Sequence, residues 1–165
     1  MANANTEKLR DDETATADRE MVITRVFDAP RDMIWAAWTD PNQIVKWWGP
    51  HGFTITIDEM DVRPGGVWKS TMHGPDGTQY LNDCVFTEVT KPERIAYKLS
   101  GGRKEDHDVN AEVSWIFEAQ GAKTKLTLRM LFATAEARDR SAKTYKVVES
   151  GNEMLDRLRE HLVKG

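Results

Sequence analysis

Alternation between apolar and polar side chains begins at residue 21 and predicts a first strand. Met21 and Ile23 fall on the same face of the predicted strand, and the alternation ends at Phe27. The preceding stretch, residues 1–19, is rich in Asp, Glu, Thr and Ala and cannot bury enough apolar surface to offset the entropy of ordering it. We therefore predict a flexible polar tail over residues 1–19 and a single domain over residues 20–165.

Two short helices are predicted after this strand. Pro30 suits the first helical position, and apolar side chains recur at helical spacing over residues 34–38. Asp40 can cap a second helix because Gln43 stands at the capping-box position, and Gly49 with the proline after it ends that helix. This region holds four of the six tryptophans. We expect a domain of this size to leave part of that aromatic surface unburied, which favours a binding partner.

From there to residue 132 the chain consists of β-type segments separated by turns. Runs of β-branched and aromatic residues are bounded by Gly- and Pro-containing turns, of which Gly74-Pro75-Asp76-Gly77 is a hairpin signal. Strands joined by such short turns pair antiparallel. The six predicted strands are Phe53 to Glu59, Val67 to His73, Gln79 to Val89, Arg94 to Leu99, Ala111 to Ala119 and Thr124 to Phe132.

Beyond residue 132 the apolar period becomes close to 3.6 and predicts a final amphipathic helix of about 25 residues. Its apolar face is marked by Val147, Val148, Gly151, Leu155, Leu158 and Leu162. The apolar face has to lie on the sheet. The predicted fold class is therefore α+β, with a curved antiparallel sheet of about six to seven strands wrapped around a long C-terminal helix, two short helices after the first strand, and a cavity between sheet and helix.

Composition argues against several classes of partner and location. The 165-residue chain has a formal net charge of −4 and no Lys/Arg-rich run, so nucleic acid is not an expected partner. Its one cysteine, Cys84, permits neither an intramolecular disulfide nor a cysteine zinc cluster. No apolar run approaches the roughly 20 residues of a membrane span, and the first residues lack the order of a signal peptide. We therefore predict a cytoplasmic protein without membrane insertion.

Strand alternation also predicts which side chains line the cavity. One parity of the late strands carries Val113, Trp115, Phe117, Leu128 and Met130. Further candidates from neighbouring segments are Trp48, Trp68, Tyr80 and Tyr97, with Tyr145 and Met154 from the last helix. Each of these residues alone is better explained as part of an ordinary core. Their combined aromatic bulk favours a pocket for a small hydrophobic, aromatic molecule.

Signals for catalysis or metal binding are weak, and we predict no catalytic residue, cofactor or metal. The four histidines show none of the usual metal-ligand spacings, and no serine stands in a nucleophile motif. Carboxylates at Asp58, Glu59 and Asp61 could reach a cavity rim, where burial would raise a pKa. A solvated strand edge is the simpler interpretation. Cys84 is expected to pack rather than to react.

Several spaced motifs resemble those of one superfamily. They are Val26-Phe27-Asp28-Ala29-Pro30, Trp38-Thr39-Asp40-Pro41, Trp47-Trp48-Gly49-Pro50, Asp61-Val62-Arg63-Pro64-Gly65-Gly66 and Thr124-Lys125-Leu126-Thr127-Leu128. From about Met21 to Leu162 the chain resembles the START-like, Bet v-like (SRPBCC) helix-grip superfamily. It is most similar to the branch named after the C-terminal domain of the activator of the ninety-kilodalton heat-shock-protein ATPase. The resemblance implies a helix-grip fold that binds hydrophobic or aromatic molecules in its cavity.

This resemblance leaves more than one function open. The first is the binding or carrying of a small hydrophobic molecule, and the second is a cyclase-like or hydrolytic activity that uses Asn152, Tyr80 or a rim carboxylate. Activation of a chaperone ATPase is disfavoured, because the chain holds one domain and no second activating module. The family usually has Gly-Trp where this chain has Gly151-Asn152, so an inward Asn152 would make the cavity larger and more polar. Similar proteins are often dimers, and a homodimer is a further expectation.

Overall fold

Seven strands and four α-helices make up residues 16–164, the part of the chain that the computed structural model describes. The strands are β1 (Glu20–Phe27), β2 (Thr54–Met60), β3 (Val67–His73), β4 (Gln79–Thr90), β5 (Arg94–Arg103), β6 (Val109–Gln120) and β7 (Lys123–Phe132). The helices are α1 (Arg31–Thr39), α2 (Pro41–Ile44), α3 (Ala135–Thr144) and α4 (Val147–Lys164). None of these helices is long and apolar enough to cross a membrane. Residues 1–15, most of the predicted tail, lie outside the described residues, and Ala17–Arg19 form a 3-10 helix before β1.

All seven strands pair antiparallel in one open sheet with the order β1-β7-β6-β5-β4-β3-β2. Strands β2 to β7 follow one another as hairpins, whereas α1 and α2 carry the chain from β1 at one edge to β2 at the other. The pairing register shifts at Asp58 in β2 and at Thr87 in β4. Such bulges bend a strand and increase its twist. The bent sheet wraps around α4, which confirms the predicted α+β helix-grip fold.

Helices α1 and α2 confirm the predicted pair of short helices. Asp40 ends α1 and caps α2, since its Oδ1 accepts a hydrogen bond from the backbone N–H of Asn42 at 2.9 Å. The second carboxylate oxygen accepts from Nε2 of Gln43 at 3.3 Å, so Gln43 does occupy the capping-box position. With both carboxylate oxygens engaged, Asp40 fixes the turn between α1 and α2.

The segment after β7 forms two helices, so the prediction of one helix of about 25 residues is wrong in length. Thr134 starts α3, because its Oγ1 accepts from the backbone N–H of Ala137 at 3.0 Å. Lys146, with a left-handed φ of 49°, separates α3 from α4. Helix α4 has 18 residues and buries Gly151, Met154, Leu155 and Leu158. The predicted apolar face therefore belongs to α4 alone, and the polar α3 carries no comparable stripe.

Five of the six tryptophans pack against one another in a buried aromatic cluster. Trp38 lies at its centre, with its ring centroid 5.2 Å from that of Trp68 and 5.9 Å from that of Trp115, in edge-on geometry. The Nε1–H of Trp47 donates to the backbone oxygen of Ala37 at 3.0 Å. All six tryptophans are at most 6% exposed. The expectation that this domain leaves aromatic surface unburied is therefore wrong, and the case for a ligand rests on the cavity itself.

Candidate functional site

A cavity of about 410 Å³ lies between the sheet and α4. Side chains of β3 to β7 form its floor, the loop between α2 and β2 closes one side, and the junction of α3 with α4 closes another. The strand register orders the lining residues. Tyr97 pairs with Val113 toward the aromatic cluster, and this is the deep end of the cavity. Asn82 and Val109 share a row beside the β5–β6 hairpin, and this is the hairpin end.

Seven of the ten side chains predicted for the site line this cavity. They are Trp48, Tyr80, Tyr97, Val113, Trp115, Leu128 and Met130. The register explains why the late strands were predictable: Val113 lies opposite Met130, and Trp115 lies opposite Leu128. Residues that face each other across an antiparallel pair project to the same side of the sheet. Tyr145 and Met154, predicted from the last helix, line the cavity as well.

Two of the predicted aromatic residues do not line the cavity, because other aromatic rings cover them. Trp68 is fully buried behind Trp48, at a centroid distance of 4.8 Å. Phe117 packs under α1 against Trp35, at 5.3 Å. Both belong to the core that closes the deep end.

Asn152 does not line the cavity either. Its Nδ2 donates to the backbone oxygen of Val148 at 3.0 Å, and its Oδ1 accepts from Nη2 of Arg25 on β1 at 3.1 Å. The neighbouring Gly151 and Met154 take the cavity side of α4 instead. The larger, more polar cavity expected from an inward Asn152 is therefore not formed by this residue. The catalytic alternative also loses one of the polar groups it invoked.

Several lining residues were not predicted. They include Phe53, Met72, Asn82, Leu99 and Val109. Val109 and Asn82 have the same parity as Val113 and Tyr80 on their strands, so extending the alternation to the strand ends would have found both. Asn82 is 5% exposed, and its Nδ2 donates to Oγ of Ser70 at 3.1 Å. The floor of the cavity therefore carries a buried amide beside its apolar side chains.

A hydroxyl marks the deep end of the cavity. Tyr97 is 3% exposed, and its Oη accepts a hydrogen bond from Nε1–H of Trp115 at 3.2 Å. Burial raises the pKa of Tyr97 well above its ordinary value, and the nearby Cys84 acts in the same direction. The hydroxyl therefore stays protonated at neutral pH.

Tyr145 ties the β5–β6 hairpin to the junction of α3 and α4 at the other end. Its hydroxyl donates to Oδ1 of Asp108 at 2.5 Å and accepts from the backbone N–H of Arg103 at 3.2 Å. Gly102 permits this approach, since a Cβ there would stand 2.9 Å from Tyr145 Oη and the backbone has a φ of 106°. We call these contacts the hairpin latch. It fixes the wall of the cavity at the hairpin end.

Arg157 on α4 holds the loop that carries Trp48. Its Nη1 donates to the backbone oxygens of Trp48, Gly49 and Pro50 at 3.1, 2.9 and 3.1 Å. Its Nη2 donates to the oxygen of Lys46 at 3.2 Å. One guanidinium group thus satisfies four carbonyl groups of a loop that lies outside the regular helices and strands.

The carboxylates of β2 and the thiol considered for chemistry lie away from the cavity, whereas His51 and Glu153 line it. Asp58 and Glu59 are exposed on the edge strand β2, as predicted for a solvated strand edge. Cys84 is buried, and desolvation raises the pKa of its thiol far above the ordinary range, so it is protonated and packs. Among residues 16–164, no three His, Cys, Asp or Glu side chains are grouped so as to hold a metal ion.

A wider groove of about 690 Å³ lies on the opposite, outer face of the sheet. Charged side chains from four adjacent strands line it, namely Lys69, Asp83, Lys98 and Glu112. These residues alternate with the inward residues of the core along each strand. The groove is larger than the cavity, but charged side chains stand on four of its strands, whereas the strand floor of the inner cavity carries one, Arg103. The inner cavity is therefore the better candidate for an apolar ligand.

An antiparallel sheet that wraps a C-terminal helix and encloses a largely apolar cavity defines a helix-grip domain. The chain belongs to the family described as Activator of Hsp90 ATPase homolog 1-like protein, which it matches over residues 28–163. This match confirms the resemblance drawn from the sequence motifs. No curated protein sequence matches the chain significantly.

The same fold occurs in solved structures of bacterial proteins. A protein from Arthrobacter aurescens is 23% identical, with a TM-score of 0.83 over 91% of this chain and 89% of that one. Protein Ms6760 from Mycobacterium smegmatis is 27% identical, with a TM-score of 0.76 over 88% of this chain and 91% of that one. The AHSA1 protein from Silicibacter pomeroyi is 21% identical, with a TM-score of 0.69 over 87% and 97%.

Proposed function

We propose that this protein binds a small apolar, aromatic molecule in the cavity between the sheet and α4. The observation that carries the proposal is the 410 Å³ of space that remains beside a tightly packed aromatic core. A cleft of this volume between a sheet and a helix is large enough to hold a small ligand.

The lining supports an apolar ligand with few polar contacts. Val113, Trp115 and Leu128 supply apolar walls, and Tyr97 and Asn82 place two polar groups among them. His51, Arg103, Lys146 and Glu153 line the cavity from the loop, the hairpin end and the helices. Ligand pockets typically combine apolar walls with a small number of placed polar groups, at volumes of roughly 300–1,000 Å³. The volume here lies in the lower part of that range, which favours a molecule of a few fused rings over a long lipid.

The proposal is tested by a substitution on the sheet that fills the cavity with a large side chain. Met130→Trp adds an indole ring on the cavity side of β7, and the matched variant Leu131→Trp adds the same ring one residue later, on the outer face. The probe is 1-aminoanthracene, an uncharged aromatic dye whose emission increases in apolar surroundings. Thermal unfolding followed by circular dichroism verifies that both variants are folded.

We expect saturable 1:1 binding of the dye to the parent protein and to Leu131→Trp. Met130→Trp should bind roughly tenfold more weakly or not at all, because the added ring takes the space of the ligand. Equal binding by all three proteins would place the dye outside this cavity and contradict the proposal. Native mass spectrometry of freshly purified protein, compared with its denatured mass, would in addition reveal a copurified ligand and any homodimer.

A further inference from the structure

The hydrogen bonding of Tyr97 indicates which chemistry the ligand brings to the deep end. A hydroxyl group donates one hydrogen and accepts through two lone pairs. The indole N–H of Trp115 donates to Tyr97 Oη at 3.2 Å, so this contact uses a lone pair and leaves the hydrogen available. Within residues 16–164 no acceptor lies at hydrogen-bonding distance for that hydrogen. Tyr97 is therefore a donor without an acceptor.

The side chain that carries this donor is buried and lines the cavity. Tyr97 is a lining residue with 3% exposure, and buried polar groups in native proteins are nearly always hydrogen-bonded. Because burial raises the pKa of Tyr97, the hydroxyl keeps its hydrogen at neutral pH. A bound molecule with an acceptor atom at this end would complete the hydrogen bonding.

The surroundings decide which kind of acceptor fits. Val113, Trp115 and Leu128 are apolar neighbours at the deep end, whereas the lining cations Arg103 and Lys146 belong to the hairpin end and the α3–α4 junction. Burying a carboxylate without a cationic partner is costly, so a charged acceptor is disfavoured beside Tyr97. A neutral oxygen on an apolar molecule can accept the Tyr97 hydrogen without the cost of burying a charge.

We propose that the ligand is a neutral, flat apolar molecule with a carbonyl oxygen that accepts the Tyr97 hydroxyl hydrogen at the deep end. This inference rests on the proposed function and adds the chemical class and the orientation of the ligand. The carbonyl end enters first, and the remainder of the molecule extends toward Asn82 and the hairpin latch.

A matched pair of probes isolates the carbonyl group. 9-Fluorenone and fluorene share one flat ring system and differ by the carbonyl oxygen, and displacement of bound 1-aminoanthracene reports the binding of either. The proteins are the parent, Tyr97→Phe and Trp35→Phe. The last variant alters a buried aromatic contact with Phe117 outside the cavity and controls for a general loss of stability.

We expect the parent and Trp35→Phe to prefer 9-fluorenone over fluorene by about tenfold, the size of one net hydrogen bond. Tyr97→Phe should lose this preference through weaker 9-fluorenone binding, with fluorene affinity unchanged. The carbonyl stretching band of bound 9-fluorenone provides a second measurement. It should lie at lower frequency in the parent than in a hydrocarbon solvent, and this measurement does not depend on the folding of any variant.

Two results would overturn the inference, and they are distinguishable. Equal affinity of the parent for 9-fluorenone and fluorene, with an unshifted carbonyl band, would exclude the carbonyl contact but leave an apolar binding site. A preference for 9-fluorenone that survives in Tyr97→Phe would have the same meaning. If neither compound binds the parent at all, the inference fails together with the proposed function.

Discussion

Replacing Arg157 tests whether α4 holds the loop over the cavity in the way the geometry indicates. Four backbone oxygens from residues 46–50 accept hydrogen bonds from this guanidinium group, at 2.9 to 3.2 Å. Desolvation lowers the pKa of Arg157 from its ordinary value, but the group remains a cation at neutral pH. Arg157→Ala removes all four contacts. The Pro50 oxygen still accepts from the backbone N–H of Phe53 at 3.1 Å, and the other three carbonyls are left to water.

The loss of unfolding free energy in Arg157→Ala depends on how many hydrogens the guanidinium group donates, and not on how many oxygens accept them. Nη1 has two hydrogens for three acceptors, and the Nη2 contact with Lys46 is exposed. A hydrogen bond that involves a charged group contributes about 1.5–3 kcal/mol net. Because the hydrogens are shared and the carbonyls can be rehydrated, we expect the free energy of unfolding to fall by about 2–4 kcal/mol. For a domain of this size that corresponds to a fall in Tm of roughly 4–16 °C.

Urea denaturation followed by tryptophan emission and circular dichroism measures this loss. Arg159→Ala is the matched control on the same helix, since Arg159 is exposed and donates to Asp156 at 3.3 Å. We expect the control to change the free energy of unfolding by no more than about 0.5 kcal/mol. The free energy of unfolding of Arg157→Lys should lie between those of Arg157→Ala and Arg159→Ala, because one ammonium group cannot contact all four carbonyls. If Arg157→Ala is as stable as Arg159→Ala, the reasoning about the loop is refuted.

Two further predictions concern the hairpin latch and the end of α4. Tyr145→Phe removes both latch hydrogen bonds and should speed amide hydrogen exchange in residues 101–109, measured by mass spectrometry; unchanged exchange would contradict the latch. Burial lowers the pKa of His161 in the folded protein, and the nearby Lys46 lowers it further. The contribution of His161 to the free energy of unfolding is therefore complete above about pH 6.5, the pKa of the unfolded chain, and is lost as the pH falls through the lower pKa of the folded protein. Urea denaturation of His161→Gln should therefore show a flatter dependence of unfolding free energy on pH below about 6.5 than the parent, and parallel profiles would contradict this assignment.

The parts of the fold that could be predicted from the sequence are those fixed by local pattern. The period of two in β6 and β7 placed Val113 and Trp115 on the side of the sheet that faces the cavity, because a strand keeps its alternation unless a bulge intervenes. Asp40 and Gln43 marked the start of α2, because a cap involves atoms within one turn of the chain.

The parts that could not be predicted depend on contacts between distant segments. Asn152 lies beside the buried face of α4, and its amide oxygen accepts from Arg25, more than a hundred residues away along the chain. Phe117 has the parity of a lining residue, yet Trp35 on α1 covers it. The role of Arg157 has no sequence signal at all, since its partners are backbone oxygens that every residue possesses.

Stability and binding share three aromatic residues in this domain, and this sharing determines which experiments can be interpreted. Trp48 and Trp115 belong to the buried tryptophan cluster, Tyr97 packs against Trp38 of that cluster, and all three line the cavity. Truncating a buried tryptophan to alanine typically costs about 3–5 kcal/mol, so a lost signal in Trp48→Ala or Trp115→Ala would report the core as much as the site. Tyr97→Phe removes one oxygen and keeps the ring, and Met130→Trp adds volume only where the cavity has room. Binding differences in these two variants can therefore be assigned to the cavity once their folding has been verified.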